Sequence, residues 1–438
     1  LYFISIDKII LFITFLTPLA VNIRDMDLGV GISLPTEPLM FGVLIFFLIR
    51  ILHDSDYDIR ILKQPLSVLI LLNLVWILLT SITSEIPLVS FKFLLARLWF
   101  VIPFYFFATL VFKKMRNIKI FIWMYIIPFV GIIFYTISRH IQFGLDELSG
   151  HWVMRPFYND HTAYGALLTM FIPFLFGFTF SRKYAINARI FSFIVLAIFL
   201  MALILSYSRA AWLSLAASVI IYILVLLKIK FRWVFLTAAI VLGLFFSFQQ
   251  QILDKLERNK QDSSANFVEH VQSITNISSD ASNLERINRW QSAMRMFRER
   301  PFWGWGPGTY QFLYAPYQRS KEKTIISTNL GDMGNAHSEY IGPLAESGVL
   351  GMVIMLLIAI ISVQTGLKVY HKSNDYEVRM VSLAASIGLV CYWLHGFLNN
   401  FLDSDKASVP VWGFMAIIIA LRLYHNHNNK SEEKKVIE

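Results

Sequence analysis

Arg209 stands in the segment SYSRAAW (206–212), between two apolar stretches that are almost continuous. A fixed cation there can hold an anion near the depth of lipid headgroups, or its stem can lie along the membrane with the charge at the interface. Arg286 and Arg289 are three residues apart in NLERINRWQSAMRMFRERP (283–301), and so are neighbours on a helix face. Each guanidinium offers two parallel donors that match phosphate oxygens, so two or three of them can hold a pyrophosphate without a metal. A basic helix touching anionic lipid is the other reading. His337 opens an apolar stretch, after Gly331, Gly334 and Asn335 and before Glu339 and Tyr340. A neutral imidazole with a pKa near about 6.5 can take a proton from a hydroxyl, although a histidine at a helix end also serves purely structural roles.

Glu339 and Glu346 are seven residues apart and would share one face of a helix, roughly opposite His337. They are expected to face protein or a water-filled cavity. In RPFYNDHTAYGALL (155–168), Asn159, Asp160 and His161 either cap a helix or line an aqueous mouth where a saccharide sits. GWGPG (304–308) lacks the Lys-Ser/Thr of a phosphate loop and reads as a tight turn that lets backbone approach closely. No HExxH, paired CxxC or GxSxG occurs, which argues against a zincin, a zinc ribbon or a serine hydrolase. The single cysteine, Cys391, lies in an apolar stretch and reads as a packed thiol.

The elements that must position these groups are membrane helices. The 438 residues are 56% hydrophobic, with a mean hydropathy of +0.57. Apolar runs of the length needed to cross a bilayer, about 17–25 residues, recur along the whole chain. Lipid offers no partner to backbone N–H and C=O groups, so helices are required. The expected class is all-α and polytopic, with about twelve spans near 6–22, 37–52, 65–82, 93–112, 118–138, 162–180, 189–206, 209–228, 232–249, 338–361, 379–397 and 408–424. A cleaved signal peptide is a poor reading of the first, because no small-x-small site follows it.

The net charge of +10 is sorted by loop and not gathered into a nucleic-acid-binding patch. Lys113, Lys114, Arg116 and Lys119 follow the fourth span, Arg182, Lys183 and Arg189 the sixth, and Lys368, Lys372 and Arg379 the tenth. By the positive-inside rule both termini are cytoplasmic. Two long loops then face outward, 138–161 and 250–337. The expected organisation is therefore spans one to nine in 1–249, a large outer loop with a surface helix in 250–337, and spans ten to twelve with a cytoplasmic tail in 338–438. Within the loop, Asn283 is the expected N-cap and Pro301 the end of an amphipathic helix whose apolar stripe holds Ile287, Trp290, Met294 and Phe297.

SYSRAAW, ERINRWQSAMRMFRERPFWGWGPGTYQF and NAHSEYIGPLAESGVLG, in that order and with RPFYNDHTAYGALL before them, resemble the O-antigen ligase and polymerase superfamily of bacterial envelope polysaccharide assembly. The resemblance implies a metal-independent, inverting, GT-C-like glycosyltransferase with no cofactor, in the bacterial inner membrane with its active site periplasmic. The donor would be a glycan on undecaprenyl pyrophosphate, and the acceptor lipid A-core or a growing glycan. Carried over by motif, Arg209 and Arg286 would grip the pyrophosphate and His337 would act on the acceptor hydroxyl. Arg289 is added as a weaker phosphate contact, and Asn159, His161, Glu339 and Tyr340 as cavity-lining residues.

The ligase reading leads the polymerase one by resemblance only. A transporter or flippase remains the alternative from another class, but it should carry charged or broken helices near midplane in both halves. The polar residues here gather at outer helix ends and in one outer loop, which favours an enzyme.

Overall fold

The computed structural model describes residues 6–23, 32–53, 57–229, 281–323, 327 and 334–425. The expected span at 232–249, the serine-rich part of the large loop, residues 331–333 and the tail from 426 lie outside the described residues. The chain is all-α. Its principal helices are α1 (Ile6–Leu16), α2 (Thr36–His53), α3 (Pro65–Ile82), α4 (Pro87–Val101), α5 (Met115–Gln142), α6 (His161–Phe180), α7 (Ile186–Leu205), α8 (Arg209–Leu226), α9 (Ala281–Glu299), α10 (Ile341–Lys372), α11 (Tyr376–His395) and α12 (Asp405–Ala420). Among the described residues nine helices are long and apolar enough to cross a membrane, α4 and α12 counting with their continuations to Val111 and His425. α12 is the most enclosed, 83% buried over its apolar window, and α8 the least, at 22%. The first forms the centre of the bundle, and the second lies at its edge among the described residues.

The first expected span is shorter than its apolar run. α1 has 11 residues, and the chain after it turns into a two-residue strand, Val21–Asn22, paired antiparallel with Ser33–Leu34. Around Pro103, α4 widens into a π-helical stretch, Ile102–Phe107, because proline removes one ladder donor. Contacts between loops sort them onto two ends. At one end the Glu85 N–H donates to the Trp305 carbonyl at 3.0 Å, the Tyr207 hydroxyl to Leu145 at 2.8 Å and Lys406 Nζ to Thr17 at 2.9 Å. At the other, Tyr424 donates to Asp58 at 2.7 Å, and Lys119 pairs with Glu377 at 2.9 Å. The described membrane helices from α1 to α8, and again from α10 to α12, therefore run in alternating directions, and the candidate residues all sit at the first end.

α10 departs from its expected start and is broken inside. His337, Ser338, Glu339 and Tyr340 lie before the helix, so Glu339 and Glu346 do not share a helix face as their spacing suggested. At Gly348 the backbone leaves helical geometry (φ 68°, ψ −170°). The freed groups are taken up by the segment after α9. Trp305 N–H donates to Ala345 O at 3.1 Å, Gly306 N–H to Glu346 O at 2.8 Å, and Val349 N–H to Pro301 O at 3.0 Å. Trp76 Nε1 of α3 donates to Ser347 O at 2.8 Å. Broken backbone at membrane depth is tolerated where protein supplies its partners, and here every one of these groups finds one. Glycine is obligatory at the contact: a Cβ on Gly304 would lie 2.3 Å from the Glu346 carbonyl carbon, and one on Gly348 2.0 Å from Phe302 O. The tight turn read in GWGPG is thus a plug in the broken helix.

α9 ends before Pro301, as proline dictates, but it already runs at Ala281, so Asn283 lies inside it and not at its N-cap. Its buried face carries Glu285, Asn288, Ser292, Ala293 and Met296. Met294 of the expected apolar stripe is exposed, while Ile287, Trp290 and Phe297 are half-buried. The helix turns its polar side inward because polar partners await it there: Asn288 Nδ2 donates to Gln318 Oε1 at 2.9 Å, and Glu285 receives Arg289 and Ser327.

Candidate active site

His337 sits in the left-handed region (φ 48°), a conformation costly for a residue with a Cβ and held only by surrounding contacts. Those contacts come from two helices. Arg289 of α9 donates from Nη1 to the Asn335 carbonyl at 3.0 Å, with its guanidinium against Gly334, where a Cβ would lie 2.0 Å from Nη1. On the other side, Glu339 N–H donates to Gly396 O at 2.8 Å, and the Tyr340 hydroxyl to Trp393 O at 2.9 Å, both at the end of α11. The Asn335 side chain closes the turn by accepting from the His337 N–H at 3.0 Å.

Arg209 is the first residue of α8 and follows a second left-handed residue, Tyr207 (φ 48°). α6 and α8 meet closely here: a Cβ on Gly165 would lie 2.9 Å from the Cβ atoms of both Ala211 and Ser208. Small residues at this crossing draw together the two helix N-termini, where backbone N–H groups and dipoles favour anions. Arg209 Nη2 lies 3.6 Å from Glu147 Oε1. Asp160 caps α6, its Oδ1 accepting from the N–H groups of Thr162 at 2.8 Å and Ala163 at 2.9 Å. Asp160 thus caps the helix and also stands in the wall of a cavity. His161, the next residue, stacks on His151 with ring centroids 4.2 Å apart.

Arg286 donates from Nε to the Leu398 carbonyl at 3.2 Å, which brings α9 onto the loop after α11. Its field and that of Arg209 both reach His161, and its field also reaches His337. The expected residues on α6, α8, α9 and the loop before α10 thus share one electrostatic neighbourhood. Burial first, then Arg289 and Arg286, push the His337 imidazole down to about 3, so it is neutral at physiological pH.

The two carboxylates at the start of α10 hold loops. Glu339 Oε1 accepts from the Tyr392 hydroxyl at 2.5 Å and from the N–H groups of Phe401 at 2.8 Å and Leu402 at 2.9 Å. Burial, and next Asp403, raise its carboxyl to about 7. Glu346 Oε1 accepts from Tyr310 N–H at 3.0 Å and fixes the glycine turn. Both also line a cavity of about 420 Å³, whose wall includes Asn159 and Asp160 before His161, and Asn335, Ala336 and Ser338 around His337. Tyr340 is buried, with its ring 4.5 Å from that of Phe397, and packs beneath the site.

Such an arrangement can bind an anion among guanidinium groups and helix N-termini, and can accept a proton at a neutral imidazole beside it. Sequence reasoning passed over His151, Glu147, Arg97 and Asp403. None carries a spacing signal, since each reaches the site across a loop or from a distant helix.

Comparison with known proteins comes after this geometry. Residues 193–356 match the family model described as O-antigen ligase, a stretch that includes Arg209, Arg286, Arg289 and His337. An uncharacterized protein of Haemophilus influenzae is 21% identical over 258 residues, 58% of this chain. The match spans 62% of that relative's length.

Proposed function

Starting from an O-antigen ligase domain at residues 193–356, which supports the O-antigen ligase superfamily, we propose that the chain moves a glycan from undecaprenyl pyrophosphate to a hydroxyl of lipid A-core. The observation that carries the reading is that Arg209 and Arg286 both act on His161, while Arg286 also acts on the neutral His337. An isoprenoid donor keeps its tail in lipid and its phosphates at headgroup depth, which is where helix-end arginines of a multi-pass protein stand. The basic loops at the opposite end favour a cytoplasmic face there, and so a periplasmic active site.

In this reading the acceptor hydroxyl gives its proton to an imidazole nitrogen of His337. Its oxygen bonds to the anomeric carbon as the bond from that carbon to the diphosphate oxygen breaks. The electron pair leaves with the diphosphate, and a single displacement inverts the anomeric centre. Arg209 and Arg286 receive the charge as it develops, which is where such groups contribute most. Arg289 holds the His337 loop and adds to the positive field.

Transfer by purified protein in vesicles, from a polyprenyl-pyrophosphoryl glycan, tests this. His337→Ala and Arg209→Ala are each expected to lower transfer by about a hundredfold or more. Full transfer by both folded variants overturns the site assignment. Loss on chelation with recovery on adding a divalent ion overturns metal independence. A second donor molecule serving as acceptor in place of lipid A-core would identify a polymerase.

A further inference from the structure

The cavity beside His337 differs in chemistry from the arginine cluster. Asp160, Glu339, Glu346, Asp403 and Asp405 line it. Arg97 and Lys406 also line it, but their donors are turned to protein. Arg97 reaches Asp403 at 2.9 Å and the Leu402 carbonyl at 3.3 Å. Lys406 Nζ donates to the carbonyls of Thr17, Pro18 and Ala20 at 2.9, 3.2 and 2.8 Å. Arg209, Arg286 and Arg289 are not among its lining residues.

Carboxylates outnumber cations on this wall, and two acceptors stand out. The side chain of Asp403 is 49% accessible, and it forms part of the cavity wall. Asn400 Oδ1, also on this wall, is buried and has no hydrogen-bond partner in the protein. An orphaned buried acceptor costs free energy until a donor arrives, and sugar hydroxyls are such donors.

We propose that this cavity is the acceptor subsite and takes a neutral, hydroxyl-rich sugar ring, excluding uronic acids and phosphorylated sugars. The proposal rests on the glycosyl-transfer reading above. In a single displacement the acceptor approaches opposite the leaving group, so an acceptor site separate from the arginines is required. The volume suits one or two sugar rings. Burial already raises the carboxyl of Glu339 above its usual range, and a further anion brought beside it meets the same cost.

The test measures binding to the full chain in nanodiscs, without donor, of two short oligosaccharides that differ only in a terminal hexose or hexuronic acid. The neutral one is expected to bind tighter by about tenfold or more. Asp403→Asn is expected to narrow that ratio severalfold, because it removes a charge while Arg97 keeps its bond to Leu402. Asn400→Ala, which leaves the Arg97–Asp403 pair intact, is expected to weaken the neutral sugar by about fivefold. Equal or tighter binding of the hexuronic acid by the unmodified protein overturns the subsite. Selective binding of the neutral sugar by a protein that performs no transfer supports the subsite and counts against the proposed reaction alone.

Discussion

Arg289 Nη1 donates to the main-chain oxygen of Asn335 at 3.0 Å, two residues before His337. Its Nε is held by Glu285 at 2.8 Å, and its guanidinium lies 5.6 Å from the centre of the Tyr314 ring. The residue expected to touch phosphate is thus anchored to the turn that carries the imidazole.

Replacing Arg289 therefore separates the two roles. Arg289→Lys keeps a charge but loses the planar fork. The expected outcome is a fall in kcat of about tenfold or more with KM for the donor little changed, because His337 moves while phosphate binding persists. Steady-state kinetics with varied donor decide the matter; a raised KM at constant kcat would make Arg289 a phosphate ligand instead.

The pH dependence of transfer should differ between free and donor-bound protein. The groups acting on His337 are Arg289 and Arg286, which lower its pKa, and Asp160 and Glu285, which raise it. In the free protein the imidazole stays neutral down to about pH 3, so an acidic fall in kcat/KM near pH 6 is not expected from it. A bound diphosphate compensates the arginines and raises the imidazole pKa, so kcat should begin to fall at a higher pH than kcat/KM. Parallel profiles would show that the diphosphate binds elsewhere.

Gly348→Ala puts a Cβ 2.0 Å from Phe302 O at a positive φ. Loss of about 2–4 kcal/mol in unfolding measurements in detergent is expected. Gly131→Ala is the control, since nothing lies within 4 Å of the Cβ it would add, and it should be neutral or slightly stabilising. Equal behaviour of the two variants would rule out the plugged break.

Hydropathy located nine of the expected spans because a bilayer imposes one length and one polarity on them. The first came out shorter, and 232–249 lies outside the described residues. Pro301 ended α9 where a proline must, and the alternation of basic loops matches the sorting of Asp58, Lys119 and Glu377 to one end. The start of α10 was misjudged because Ser338 through Tyr340 are held by α11, a partner about sixty residues away that no local pattern reveals. The face that α9 buries was not legible for a related reason: Glu285 and Asn288 find polar partners far along the chain, while Ile287, Trp290 and Phe297 of the apolar stripe stay half-buried. The candidate residues Arg209, Arg286 and His337 were legible through their motifs. The stacked His151, the cavity and its orphaned Asn400 belong to tertiary packing and left no trace in spacing.

The plugged break in α10 also divides the helix mechanically. From Ala345 to Ser347 its carbonyls accept from Trp305, Gly306 and Trp76, donors outside their own helix. The segment Ile341–Ser347 is therefore stapled to the glycine turn after α9 and, through Trp76, to α3. The remaining turns of α10 belong to the bundle in the bilayer. Gly348 is the joint between them, and because Val349 N–H is bonded to the Pro301 carbonyl, the end of α9 holds the helix on both sides of that joint.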